Sequence, residues 1–182
     1  MQKIKVWKNS MLNLTEFVSI EKEEMTTVKG YITGEGYEKP WQVRYTLTLN
    51  PRWEAQTVFI EVMSEQNYTI ELYKNELQQW LNEKGEHLAA FDGCVDVDIS
   101  FTPFTNTLPI NRLQLTKGEG QDIRVVYVDV RHGVVKTVKQ RYLNKGSQIY
   151  KYENEDSGYI SELIVDKDGY VVDYPGIWQQ IY

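Results

Sequence analysis

The chain has one cysteine, two histidines, five prolines and no long apolar run among its 182 residues. The lone thiol, Cys94, excludes an internal disulfide. No stretch approaches the roughly 18 consecutive apolar residues of a membrane span. The opening MQKIKVWKNSMLNLTEF carries lysines but no apolar run of secretory length. These absences together point to a cytoplasmic location. His87 and His132 stand beside glycine or charged residues in expected loops, and neither has metal-ligand spacing with Cys94. Basic residues are also in deficit. Twenty Lys and Arg against 26 Asp and Glu leave a net charge of −6, which argues against a nucleic-acid backbone as the partner. There is no Gly-x-Ser-x-Gly elbow, and the Gly-Glu-Gly triplets at Gly34–Gly36 and Gly118–Gly120 read as turns. With no credible nucleophile, metal cluster or phosphate loop, the chain calls for no cofactor and the commoner enzyme classes recede.

What is abundant is aromatic: 13 Tyr, 5 Trp and 5 Phe, spread along the whole length. Such residues favour strands, and their amphipathic rings also suit walls that meet sugars or lipid headgroups. The 41% hydrophobic and 25% charged content is that of an ordinary folded protein. No linker or repeat divides the chain, so residues 1–182 are expected to form one β-rich domain.

Alternation is the dominant pattern. WQVRYTLTLN puts Trp41, Val43, Tyr45, Leu47 and Leu49 on one face and polar residues on the other. Further strands are expected at 17–23, 27–33, 53–64, 68–74, 95–101, 113–116, 123–130, 134–143, 147–153, 159–166 and 170–173. Short turn-forming separators such as NKG, NEDSG and DKDG imply antiparallel neighbours. Asn50-Pro51-Arg52 reads as a hairpin connection. Two segments compete for helix. NELQQWLNEKG places Leu77, Trp80 and Leu81 at helical spacing, with Gly85 as a stop. TPFTNTLPI offers Thr102 as N-cap and Pro103 as first helical residue, with Pro109 expected to end or kink the segment. An irregular turn is the alternative there.

The densest polar material lies between Gly93 and Leu113. Val95, Val97, Ile99 and Phe101 share one strand face; Asp96, Asp98 and Ser100 share the other. The two aspartate Cα atoms are then roughly 6.6 Å apart. Such a pair can bind a cation, raise one pKa, or meet arginine, while an isolated Asp-x-Asp is also an ordinary solvated face. Thr102, Thr105 and Asn106 follow directly, then Arg112; Gln140, Arg141 and Tyr142 come from KQRY, and Asp173 and Tyr174 from DYPG. Either Asp96 or Asp98 is expected to pair with Arg112 or Arg141 inside a β shell.

DGCVDVDISFTPFTNTLPINRL, QRY (140–142), YKYE (150–153) and VDKDGYVVDYPGIW (165–178) together resemble the "putative glycolipid-binding" family of uncharacterised bacterial proteins. The resemblance implies a spiral β-roll, a large sheet wrapped around a single helix and similar in shape to lipoprotein-carrier half-barrels, and it implies a capacity to form a homodimer. Asn111 stands where the family tends to have a second arginine, and Leu143 where it often has threonine. From these residues the expected ligand is an amphipathic molecule such as a glycolipid. It would be held without catalysis by Asp96, Asp98, Thr102, Thr105, Asn106, Arg112, Gln140, Arg141, Tyr142, Asp173 and Tyr174. Two other readings stand beside it: a carbohydrate hydrolase using Asp96 and Asp98, and a structural β module with a filled interior. The hydrolase suffers from geometry, because two carboxyls side by side on one strand cannot flank a glycosidic bond.

Overall fold

A computed structural model describes residues 2–182, and fourteen strands join in one sheet. The first seven are β1 (Gln2–Asn9), β2 (Asn13–Lys22), β3 (Thr26–Gly36), β4 (Lys39–Leu49), β5 (Ala55–Met63), β6 (Tyr68–Lys74) and β7 (Trp80–Asn82). The remainder are β8 (Asp96–Ile99), β9 (Gly120–Asp129), β10 (Val134–Gly146), β11 (Ile149–Asn154), β12 (Tyr159–Val165), β13 (Val171–Tyr174) and β14 (Trp178–Gln180). Between β8 and β9 a 3₁₀ turn, Phe104–Asn106, leads into the short helix α1 (Thr107–Leu113).

Each half of the sheet is a run of neighbours in chain order. The halves meet where β14 pairs with β1, Trp7 opposite Gln180. All pairings are antiparallel except β8 with β9, whose parallel pairing is bridged by the 3₁₀ turn and α1. The sheet does not close into a barrel, but it curls until its ends approach. Trp80 on β7 donates its indole N–H to the Cys94 carbonyl at 2.8 Å, just ahead of β8. The Tyr68 hydroxyl at the start of β6 donates to the Val130 carbonyl beyond β9.

The roll closes around α1, whose Thr107, Leu108, Pro109 and Ile110 are buried. Phe104 and Leu108 belong to the main core with Trp7, Leu14, Val43 and Ile60; Ile110 belongs to a second cluster with Tyr142, Tyr152 and Leu163. Strand β8 is therefore covered on both faces. Val97 and Ile99 enter the main core, while Asp96 and Asp98 reach residues of α1, the 3₁₀ turn and β10. This mainly β sheet wrapped on one helix is the expected architecture.

Several local expectations fail. NELQQ is a turn, with Leu77 exposed and Trp80 opening β7, because Asn75 Oδ1 accepts from Leu77 N–H and Gln79 N–H and Gln78 takes a positive φ of 60°. No strand forms at 113–116, where Leu113 closes α1 and Gln114 turns left-handed at φ 47°. Pro109 neither ends nor visibly limits α1, which runs on to Leu113; in the first turn a missing N–H costs no helical bond. Thr102 does serve the segment as a cap, its Oγ1 accepting from Phe104 N–H at 2.9 Å.

Candidate functional site

Asp98 projects from β8 toward β10 and the 3₁₀ turn. Thr105 Oγ1 donates to its Oδ1 at 3.1 Å, and Gln140 Nε2 donates to its Oδ2 at 2.6 Å. The same Gln140 amide donates to the Tyr152 hydroxyl at 3.0 Å, fixing three strands around one carboxyl. Asp98 is deeply surrounded by protein yet keeps an open side onto a cleft of about 240 Å³. Burial pushes its carboxyl above the usual range, with the Gln140 and Thr105 hydrogen bonds pulling the other way.

Tyrosines dominate the cleft wall. Tyr127, Tyr152, Tyr159 and Tyr174 line it with Asn106 and Asn154, and Thr102, Ser157 and Trp178 complete the rim. Tyr152, Tyr159 and Tyr174 form a triangle of rings with centroids 6.3–6.4 Å apart and steep mutual tilts. Burial and the nearby Asp98 charge raise Tyr127 to about 12, and Tyr152 and Tyr174 shift in the same direction, so these phenols keep their protons. Gln140 Oε1 is buried without a hydrogen-bond partner among the described residues.

Four lining residues (Ser100, Tyr127, Ile177 and Trp178) also border a second cleft of about 370 Å³, so the two spaces share a wall. The second is largely apolar, walled by Met11, Leu12, Leu14 and Phe101, and its lining also includes Asn9, Asp129, Arg131 and His132. Arg131 lies over the Tyr37 ring at 3.9 Å.

Of the residues expected from sequence, Asp98, Thr102, Asn106 and Tyr174 face the first cleft. Thr105 and Gln140 hold Asp98, and Tyr142 donates to Asn106 Oδ1 at 2.9 Å from behind the wall. Asp96 and Arg112 form the expected buried pair, bidentate through Nε at 3.0 Å and Nη2 at 2.6 Å. Burial raises the Asp96 carboxyl and the Arg112 hydrogen bonds and charge oppose it. That pair braces α1 against β8. Arg141 is not brought in: it is half exposed and pairs with Asp122 on β9. Asp173, opposite Gln179 on β14, does not line the cleft either.

Sequence reasoning missed Tyr127, Tyr152, Asn154 and Tyr159, and also Glu16. Glu16 lies on the inward face of β2, fully buried, accepting from Tyr45 OH at 2.7 Å and Thr102 Oγ1 at 2.9 Å. Desolvation lifts its pKa from 4.5 to about 8, against the pull of both hydrogen bonds. An acid alternating with Leu14, Val18 and Ile20 was the available signal. Among the described residues no three His, Cys, Asp or Glu side chains gather as a metal site, and no helix is long and apolar enough to cross a membrane.

A family model described as "Putative glycolipid-binding" matches residues 4–180. The chain is also similar to a solved structure, a DUF1089 family protein from Pseudomonas aeruginosa, with 33% identity and a TM-score of 0.79 over 90% of this chain and 91% of that one. None of the curated proteins matches. With nearly its whole length covered, the chain belongs to the family described as "Putative glycolipid-binding".

Proposed function

We propose that the protein binds an amphipathic molecule such as a glycolipid and does not transform it. The observation that carries this reading is the junction of two unlike clefts. A polar pocket of tyrosines, asparagines and Asp98 lies beside an apolar one and shares the wall of Tyr127, Ile177 and Trp178 with it. Rings at such a junction can cover an acyl chain while their hydroxyls meet a headgroup. The family description agrees with this assignment.

The hydrolase reading loses support because its two carboxyls have separate tasks. Asp96 is 1% exposed and held by Arg112, which leaves Asp98 as the carboxyl facing the cleft. Glycosidases need a second carboxyl across the scissile bond. The filled-interior reading is weakened by the clefts themselves.

Native mass spectrometry of protein purified from cells, followed by lipid extraction, tests the proposal. Wild-type protein should retain an acyl-bearing species, and Ile177→Arg, which places a charge in the apolar cleft, should lose it while melting normally. No retained species, or equal retention by the variant, would reject the proposal.

A further inference from the structure

Two aspartates two residues apart on β8 receive opposite treatment. Asp96 is neutralised from within by a bidentate guanidinium. Asp98 receives only neutral donors, a threonine hydroxyl and a glutamine amide, and opens on a cleft whose lining includes no Lys or Arg. Arg141, next in sequence to Gln140, points to the other side of the sheet and spends its charge on Asp122. A carboxylate so enclosed is costly unless it takes up a proton or a counter-charge arrives. None of the cleft wall supplies one.

The rest of the wall selects for the same charge. Tyr152, Tyr159 and Tyr174, packed on one another with centroids 6.3–6.4 Å apart, line the cleft together with Asp98, and Tyr127 adds a fourth ring to the lining. Aromatic rings grouped around a carboxylate attract organic cations through their negative faces. An anionic headgroup would meet Asp98 with no cation to offset it. A neutral sugar would find hydrogen bonds but leave the carboxylate charge unmatched.

We propose that the group taken by the Asp98 cleft is an organic ammonium, carried on the polar end of the amphipathic ligand. The proposal rests on the preceding reading of this cleft as the headgroup end of a ligand site. An amino sugar and an alkylammonium head present the same chemistry, and the cleft of about 240 Å³ is of the size of one small headgroup.

Three chain-matched probes below their micelle concentrations separate the possibilities by calorimetry on the full-length protein: octyl glucoside, octyl 2-amino-2-deoxyglucoside and octyltrimethylammonium. The aminoglucoside should bind at least about tenfold more tightly than the glucoside, from which it differs by one ammonium group. Asp98→Asn, which keeps a partner for Thr105, should erase that difference. Tyr159→Leu, at a position 38% exposed, should reduce it without threatening the fold. Tight binding of octyltrimethylammonium would identify the source as an alkylammonium head, and its failure beside tight aminoglucoside binding would identify an amino sugar; both support the inference. Equal affinity for glucoside and aminoglucoside, with no tighter binding of octyltrimethylammonium, would overturn it while leaving amphiphile binding intact. Failure of all three probes would overturn the amphiphile reading as well.

Discussion

Leu14, Glu16, Val18 and Ile20 share the inward face of β2, and the second of them is a fully buried acid. Tyr45 reaches Glu16 by lying across Gly30 on the intervening strand, where a Cβ would sit 2.0 Å from the ring. The acid thus has hydrogen bonds but no cation, and its folded pKa of about 8 lies above the unfolded 4.5. Between those values the folded chain holds a proton that the unfolded chain releases. Stability from this group is therefore complete below about pH 4.5 and falls as pH rises toward 8, by about 1.4 kcal/mol per unit for one proton. Glu16→Gln keeps an acceptor for Tyr45 and removes the titration. Denaturant melts at pH 5, 6.5 and 8 should show the variant gaining on wild type with each step. A constant difference across the series would show that Glu16 ionises freely in the folded protein. Asp96 and Asp98 shift in the same direction but are present in both proteins, so the comparison isolates Glu16.

At the scale of elements, one hairpin loop recurs four times. Asn50, Asn75, Asn82 and Asp166 each accept from the backbone N–H groups two and four residues on, and the residue three positions on has positive φ. This is a three-residue hairpin loop ending in a left-handed residue. Gly85 and Gly169 occupy that position without strain, whereas Gln78 holds φ 60° with a side chain attached. Gln78→Gly should raise stability by up to about 1 kcal/mol in chemical denaturation. A loss would mean that the glutamine side chain contributes more than its backbone costs. The same loop explains what the sequence concealed. Leu77 and Trp80 are spaced like a helix, yet Asn75 diverts the local N–H groups into the turn. Strands with apolar inward faces, such as β4, were legible; β1 was not, because its inward positions include Lys3 and Lys5, whose amines lie over the Tyr170 ring. In the site, the Asp98–Thr105–Gln140 group was legible as polar density. Tyr127, Tyr152 and Tyr159 were not, because only the β9–β12 register and the loop at 155–158 gather them.

For the whole molecule, the decisive joint is β14. The two sequential halves of the sheet are stitched together where this three-residue strand pairs with β1 on one side and β13 on the other. Val6 and the last two residues extend the seam, Ile181 N–H donating to Val6 O at 2.8 Å and Val6 N–H to Tyr182 O at 3.0 Å. Trp178 is 2% exposed in the main core, and with Ile177 it also separates the two clefts. Contacts between the chain ends carry the largest loop-closure cost, so the seam is expected to form late in folding. Deleting residues 176–182 would take Trp178 out of the core and leave β1 and β13 as facing open edges. The truncated chain should lose its single cooperative thermal transition, and the aromatic near-ultraviolet dichroism with it, while keeping much of its far-ultraviolet β signal from the separate halves. A truncated chain that melts as one unit near the wild-type temperature would show that α1, packed against both halves, and not the seam, unites the sheet.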